Sequence, residues 1–108
     1  MDETTTIADL RGAVRDFVEA REWGGFHTPK NLAMSIAIEA AEIMEHFQWS
    51  TTQEAQALVA GAETHAEVAD ELADVLIYCL SLANCAEIDI SSAVRRKLAR
   101  NELRFPSS

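Results

Sequence analysis

Apolar residues early in the chain fall at Ile7, Leu10, Val14, Phe17 and Val18, intervals of three and four that place them on one face of an α-helix. The pattern predicts a first helix over about Thr6 to Glu22, ended by Gly24-Gly25, and a second over about Pro29 to Phe47, with its proline in the tolerated first turn. A short helix over Thr52 to Val59, capped by Ser50 or Thr51, bridges to a long one over about Glu63 to Ala86. After a turn at "EIDI" and Ser91-Ser92, a last helix covers about Ile90 to Leu103. No alternating β-branched runs flanked by turn pairs interrupt this series, and there is no fixed-period repeat. The expected fold is all-α: a single domain over residues 1–108, built as a four-helix bundle. The broad apolar face of Glu63 to Ala86 also predicts packing against another subunit.

Two stretches break the amphipathic rule. In "SIAIEAAEIMEHF", Glu39 and Glu42 lie three apart among Ile36, Ile38, Ile43, Met44 and Phe47. In "DELADVLIYCL", Glu71 and Asp74 repeat the spacing, and Asp74 is the only charge between Leu72 and Ala86. Residues three apart on a helix share a face, so each stretch carries a carboxylate pair within an apolar segment. One such pair reads most simply as solvated, its apolar neighbours turned inward. Two matching pairs on long helices favour a different reading, in which the pairs face each other across the bundle and a divalent cation offsets their repulsion. An all-oxygen donor set selects Mg²⁺, or Mn²⁺, over zinc or copper. A di-iron centre calls for Glu-x-x-His, and here His46 follows Glu42 by four. Glu45, Glu67 and Asp70 read as solvated or supporting positions.

Composition narrows the function. Nine Lys and Arg against 18 Asp and Glu give a net charge of −9, which argues against a nucleic acid polymer as partner. The same imbalance suits a phosphorylated substrate bridged by cations. A 48% apolar content excludes disorder, no apolar run is long enough for a membrane span, and "MDETTTIADLRG" is no signal peptide, so a cytoplasmic location is expected. Cys79 and Cys85 are about 600° apart on a helix and lie in no metal motif, so they read as ordinary thiols.

With these residues in view, the chain resembles the MazG-like all-α nucleoside triphosphate pyrophosphatases, and within them the dCTP pyrophosphatase-like branch. "EAAE" and "ELAD" match the ExxE…ExxD signature, and "FHTPKNLAMSIAIEAAEIMEHFQW", "DELADVLIYCL" and "KLARNELRFP" resemble three blocks of that branch in order and spacing. The resemblance implies hydrolysis between the α- and β-phosphates of a nucleoside triphosphate, of a dCTP-like pyrimidine type, releasing the monophosphate and pyrophosphate. It implies Glu39, Glu42, Glu71 and Asp74 as Mg²⁺ ligands and catalytic residues, with Glu42 the preferred base. It implies Trp23, His27, Trp49 and Tyr78 around the base, and Lys30, Lys97, Asn101 and Arg104 as further substrate contacts. Members of the branch associate as dimers of dimers, which implies a homotetramer. Val14 departs from the histidine that cytosine-specific animal members carry on the first helix. The competing reading is a non-catalytic helical oligomerisation or nucleotide-sensing module, which the intact set of four carboxylates disfavours.

Overall fold

Five helices make up the computed structural model, which describes residues 1–107: α1 (Ile7–Ala20), α2 (Pro29–Glu45), α3 (Thr52–Ala60), α4 (Ala62–Ala86) and α5 (Ile90–Arg104). Their starts are set by local hydrogen bonding. Thr6 accepts from the Asp9 amide at 3.0 Å while Asp9 accepts from the Thr6 amide at 3.0 Å, a reciprocal cap. Thr51 and Glu54 repeat it at α3, at 3.1 and 3.2 Å. Thr28 caps α2 ahead of Pro29, and Asp89 accepts from the Ser92 amide at 2.8 Å to start α5. That bond, the Ser92 side chain and the charge of Arg11 hold the Asp89 carboxyl below its ordinary range.

The end of α1 differs from expectation. Neither Gly24 nor Gly25 has a positive φ; the left-handed residue is Glu22, at φ 56°. The Trp23 amide donates to the Val18 carbonyl at 3.0 Å and the Glu22 amide to Glu19 at 3.1 Å, so the reversal is complete before the glycines begin. α4 ends the same way, with Glu87 at φ 54° and the Ile88 amide reaching back to Ala83 at 2.9 Å.

α4 is the spine, and α1, α2 and α3 each pack against it. α2 runs antiparallel to it: His27, before α2, bonds Ser81, whereas His46, at its far end, bonds Glu71. α1 is fastened to the end of α4 by Arg11, which donates to the Ile88 carbonyl (2.6 Å), the Asn84 side chain (3.0 Å) and the Ala83 carbonyl (3.2 Å). Asn84 returns a bond to the Arg11 carbonyl at 3.1 Å. The last turn of α4 holds no basic residue, so this guanidinium, brought in from α1, answers its exposed carbonyls. The four helices that pack together thus include the short α3. The last long helix, α5, bends away from α4 by 102° and makes little contact with the others.

The core is thin. Val14, Val18 and Leu80 form its cluster, and Leu32 is the most deeply buried large side chain, 1% exposed. The radius of gyration is 16.5 Å, where a compact chain of this length has about 13 Å. The accessible surface is 8406 Å², against roughly 6,000 Å² for a folded monomer of this mass. No single described helix is long and apolar enough to cross a membrane.

A glutamate in the left-handed region carries a steric cost that glycine lacks, about 1 kcal/mol. Glu22→Gly is therefore expected to raise stability by up to about 1 kcal/mol, read as a shift of the urea midpoint at unchanged slope. A loss of stability would show that the Glu22 side chain does more than occupy the turn.

Candidate active site

Glu39 and Glu42 share the inward side of α2 with Leu32, Ile36 and Ile43, whereas Ile38 and Met44 face outward. Glu39, Glu42 and Glu71 are half-buried between α2 and α4, and Asp74 is more open. Ile38 and Met44, the residues expected to fill a core, are 59% and 58% exposed. The solvated reading of the glutamates is thereby reversed on α2. On α4 Leu72 and Leu76 are likewise more than half exposed.

Glu39 registers all four acids. Its carboxyl titrates above the ordinary 4.5 because of burial first, then a hydrogen bond with Glu42, then the negative charges of Glu42, Asp74 and Glu71. Its Oε2 is buried without a hydrogen-bond partner. A buried carboxylate oxygen left in that condition is unfavourable by several kcal/mol unless something cationic meets it. No three His, Cys, Asp or Glu side chains among the described residues are drawn together closely enough to grip an ion. The donor set is nonetheless of the right chemistry: four carboxylates near enough to feel one another's charge, one with an orphaned oxygen, are hard ligands that fit Mg²⁺ or Mn²⁺ and would not select zinc or copper.

His46 caps the C-terminal end of α2 and enters this cluster. Its Nε2 lies 2.5 Å from Glu71 Oε2, and its Nδ1 3.6 Å from Glu67 Oε2. Glu67, read from the sequence as solvated or supporting, thus touches the site through a histidine.

The aromatic candidates divide. His27 and Tyr78 meet with ring centroids 6.2 Å apart, and His27 Nδ1 shares a 2.7 Å hydrogen bond with the buried Ser81 Oγ. His27 therefore does not cap α2, which is Thr28's role. A cavity of about 260 Å³ opens beside them, lined by Arg15, Glu19, His27, Ser81, Asn84 and Cys85. Trp23 stacks edge-on against Phe17 at 5.6 Å, and the Arg21 guanidinium lies 3.6 Å over the Phe17 ring. Trp49 is 90% exposed in the turn after α2. Val14 is buried on α1, where it also borders an apolar groove of about 460 Å³ formed with Leu10, Phe17, Leu76 and Leu80.

The cationic candidates stand apart from the carboxylates. Lys30 is exposed in the first turn of α2. Lys97 and Arg104 are exposed on α5 and Asn101 is half-buried there; Arg104 lies over Phe105 at 5.0 Å. Among the described residues, no hydrogen bond or ion pair joins these side chains to α2 or α4. Ser81 and Asn84 were not singled out from the sequence. Two polar residues inside the apolar run "YCLSLANC" are the signal that points to them.

This pairing of helices is that of a known class: the chain belongs to the MazG-like family, whose sequence profile matches residues 34–107. It is similar to a pyrophosphatase from Archaeoglobus fulgidus, with a TM-score of 0.86 and 44% identity, covering 93% of this chain and 92% of that one. It is also 35% identical over 102 residues to human dCTP pyrophosphatase 1 and 34% identical over 101 residues to the bovine protein. Each alignment takes in 94% of this chain, which spans 60% of the length of those two relatives.

The raised pKa of Glu39 carries a stability consequence. Its proton is held more tightly in the folded state, so its contribution is complete below the unfolded value of 4.5 and is lost as pH rises through the folded value. In EDTA at pH 7, Glu39→Gln is expected to melt at a higher temperature than the wild type, with the gap closing towards pH 4. Equal melting temperatures across that range would contradict the repulsion.

Proposed function

We propose that this protein hydrolyses the α–β phosphoanhydride of a nucleoside triphosphate, of a dCTP-like pyrimidine type, to the monophosphate and pyrophosphate. The observation that carries the reading is the buried, partnerless Oε2 of Glu39 within a set of four carboxylates that α2 and α4 turn towards each other. Mg²⁺, or Mn²⁺ in its place, held by Glu39, Glu42, Glu71 and Asp74, supplies charge neutralisation for the substrate phosphates and the leaving pyrophosphate. Glu42 orients and deprotonates the attacking water. His27 and Tyr78, with Trp23, receive the base, and Trp49, at the opposite end of α2 from His27, joins them from a neighbouring copy. Val14 puts an apolar wall where cytosine-specific members of the family carry a histidine, so base selection rests on shape and stacking here.

Lys30, Lys97, Asn101 and Arg104 bind phosphate oxygens. Asp74 lies about 18 Å of helix before the end of α4, and α5 turns off beyond that end. In our reading, α5 therefore serves the site of a neighbouring copy. An excess surface of roughly 2,400 Å² on the free chain is of the size that obligate assemblies bury, and it supports a homotetramer. The reading places the enzyme in the cytoplasm as a house-cleaner of the nucleotide pool, where the free Cys79 and Cys85 suit a reducing environment. A non-catalytic nucleotide-sensing module is the competing outcome of the same assay.

Pyrophosphate release from a panel of ribo- and deoxyribonucleoside triphosphates, in Mg²⁺ and in EDTA, tests the chemistry. Metal-dependent release from pyrimidines is expected, with Glu39→Gln and Asp74→Asn each losing about 1,000-fold or more while keeping their helical spectra. A folded wild type that releases none overturns the reading. Light scattering at micromolar concentration is expected to give the mass of a tetramer, and a monomer would contradict the assembly.

A further inference from the structure

Glu39, Glu42 and His46 are spaced three and seven along α2; Glu67, Glu71 and Asp74 are spaced four and seven along α4. Each set lines one helix face, and the antiparallel pairing brings the two faces together. Among these six side chains, five are carboxylic acids and His46 alone can donate through nitrogen. With Glu71 as a metal-ligating carboxylate, which only accepts, the 2.5 Å contact places the proton on Nε2 and bars that nitrogen from ligating a metal. On the ring's other side Glu67 Oε2 lies 3.6 Å from Nδ1, beyond hydrogen-bond distance. The contact engages Oε2 of Glu71 and leaves Oε1 of the same group to turn towards the cluster.

We propose that His46 is a positioning residue: hydrogen-bonded to Glu71 from α2 to α4, it fixes the Glu71 carboxylate as a ligand for the divalent cation. The proposal rests on the metal-site reading above. Groups that hydrogen-bond a metal-ligating side chain set its rotamer and its basicity, and their loss characteristically weakens binding by 10- to 100-fold. A histidine at this point also restrains a long, flexible glutamate that repulsion from Glu39, Glu42 and Asp74 would otherwise drive outward. The α2 cap itself is made by the His46 backbone amide, donating to Ile43 and Met44, so the side chain is free for this task.

Mn²⁺ binding to the nucleotide-free protein, followed by electron paramagnetic resonance, tests this without turnover. Relative to wild type, His46→Leu is expected to weaken Mn²⁺ binding about 10- to 100-fold. His46→Gln, whose amide nitrogen can occupy the place of Nε2, is expected to recover most of the loss. In the pyrophosphatase assay, His46→Leu is expected to need more Mg²⁺ for half-maximal rate and to approach the wild-type kcat at saturation. Unchanged Mn²⁺ affinity in His46→Leu, with Glu71→Gln losing it, overturns the role of His46 and spares the metal site. Equal loss in the Leu and Gln variants, with matching falls in melting temperature, also overturns it, leaving a packing role. A wild type that binds no Mn²⁺ removes both.

Discussion

Mutual repulsion among acids on two facing helices is the constraint to which the rest of this structure answers. Glu39 sits where burial, Glu42, Asp74 and Glu71 all oppose its charge. A helix pair of this kind has no stable resting arrangement unless positive charge or donated hydrogen bonds enter from elsewhere. His46 bonds Glu71 at one end of the cluster, and under the proposed function a divalent cation would answer the centre. The polar seam also dictates what the outside of α2 looks like. Glu39 and Glu42 take part of the inward side beside Leu32, Ile36 and Ile43, and Ile38 and Met44 are left on the outer face.

How much of this was legible in the sequence depends on the range of the interaction. Helix starts were readable because Thr6 with Asp9 and Thr51 with Glu54 act within one turn. The proximity of the four carboxylates was readable because the same i, i+3 pair occurs twice on long helices, and coincidence is a poor account of that. The orientation of α2 was readable only through that repeat, since a single apolar helix with two acids is compatible with either face turned inward. The end of α1 was misjudged at the glycines because the left-handed turn was made by Glu22, against its intrinsic preference. The hydrogen bonds of His27 to Ser81 and Arg11 to Asn84 join residues 54 and 73 apart, a separation at which no local pattern speaks.

The Arg11 junction shows how few contacts hold the parts in register. Five hydrogen bonds, four of them made by Arg11 and one from Arg15 to Asn84, tie α1 to the end of α4, next to the Val14, Val18 and Leu80 cluster. Nearer the acids, α2 and α3 pack against α4 without such a junction.

A chain with more surface than its mass warrants has a folding equilibrium that depends on how much of it is present. Where burial is completed by a second copy, dilution removes stability as surely as heat does. A substitution on the outer apolar face of α2, far from any phosphate, would then act as a change in effective concentration. It would be silent in an abundant preparation and disabling in a scarce one.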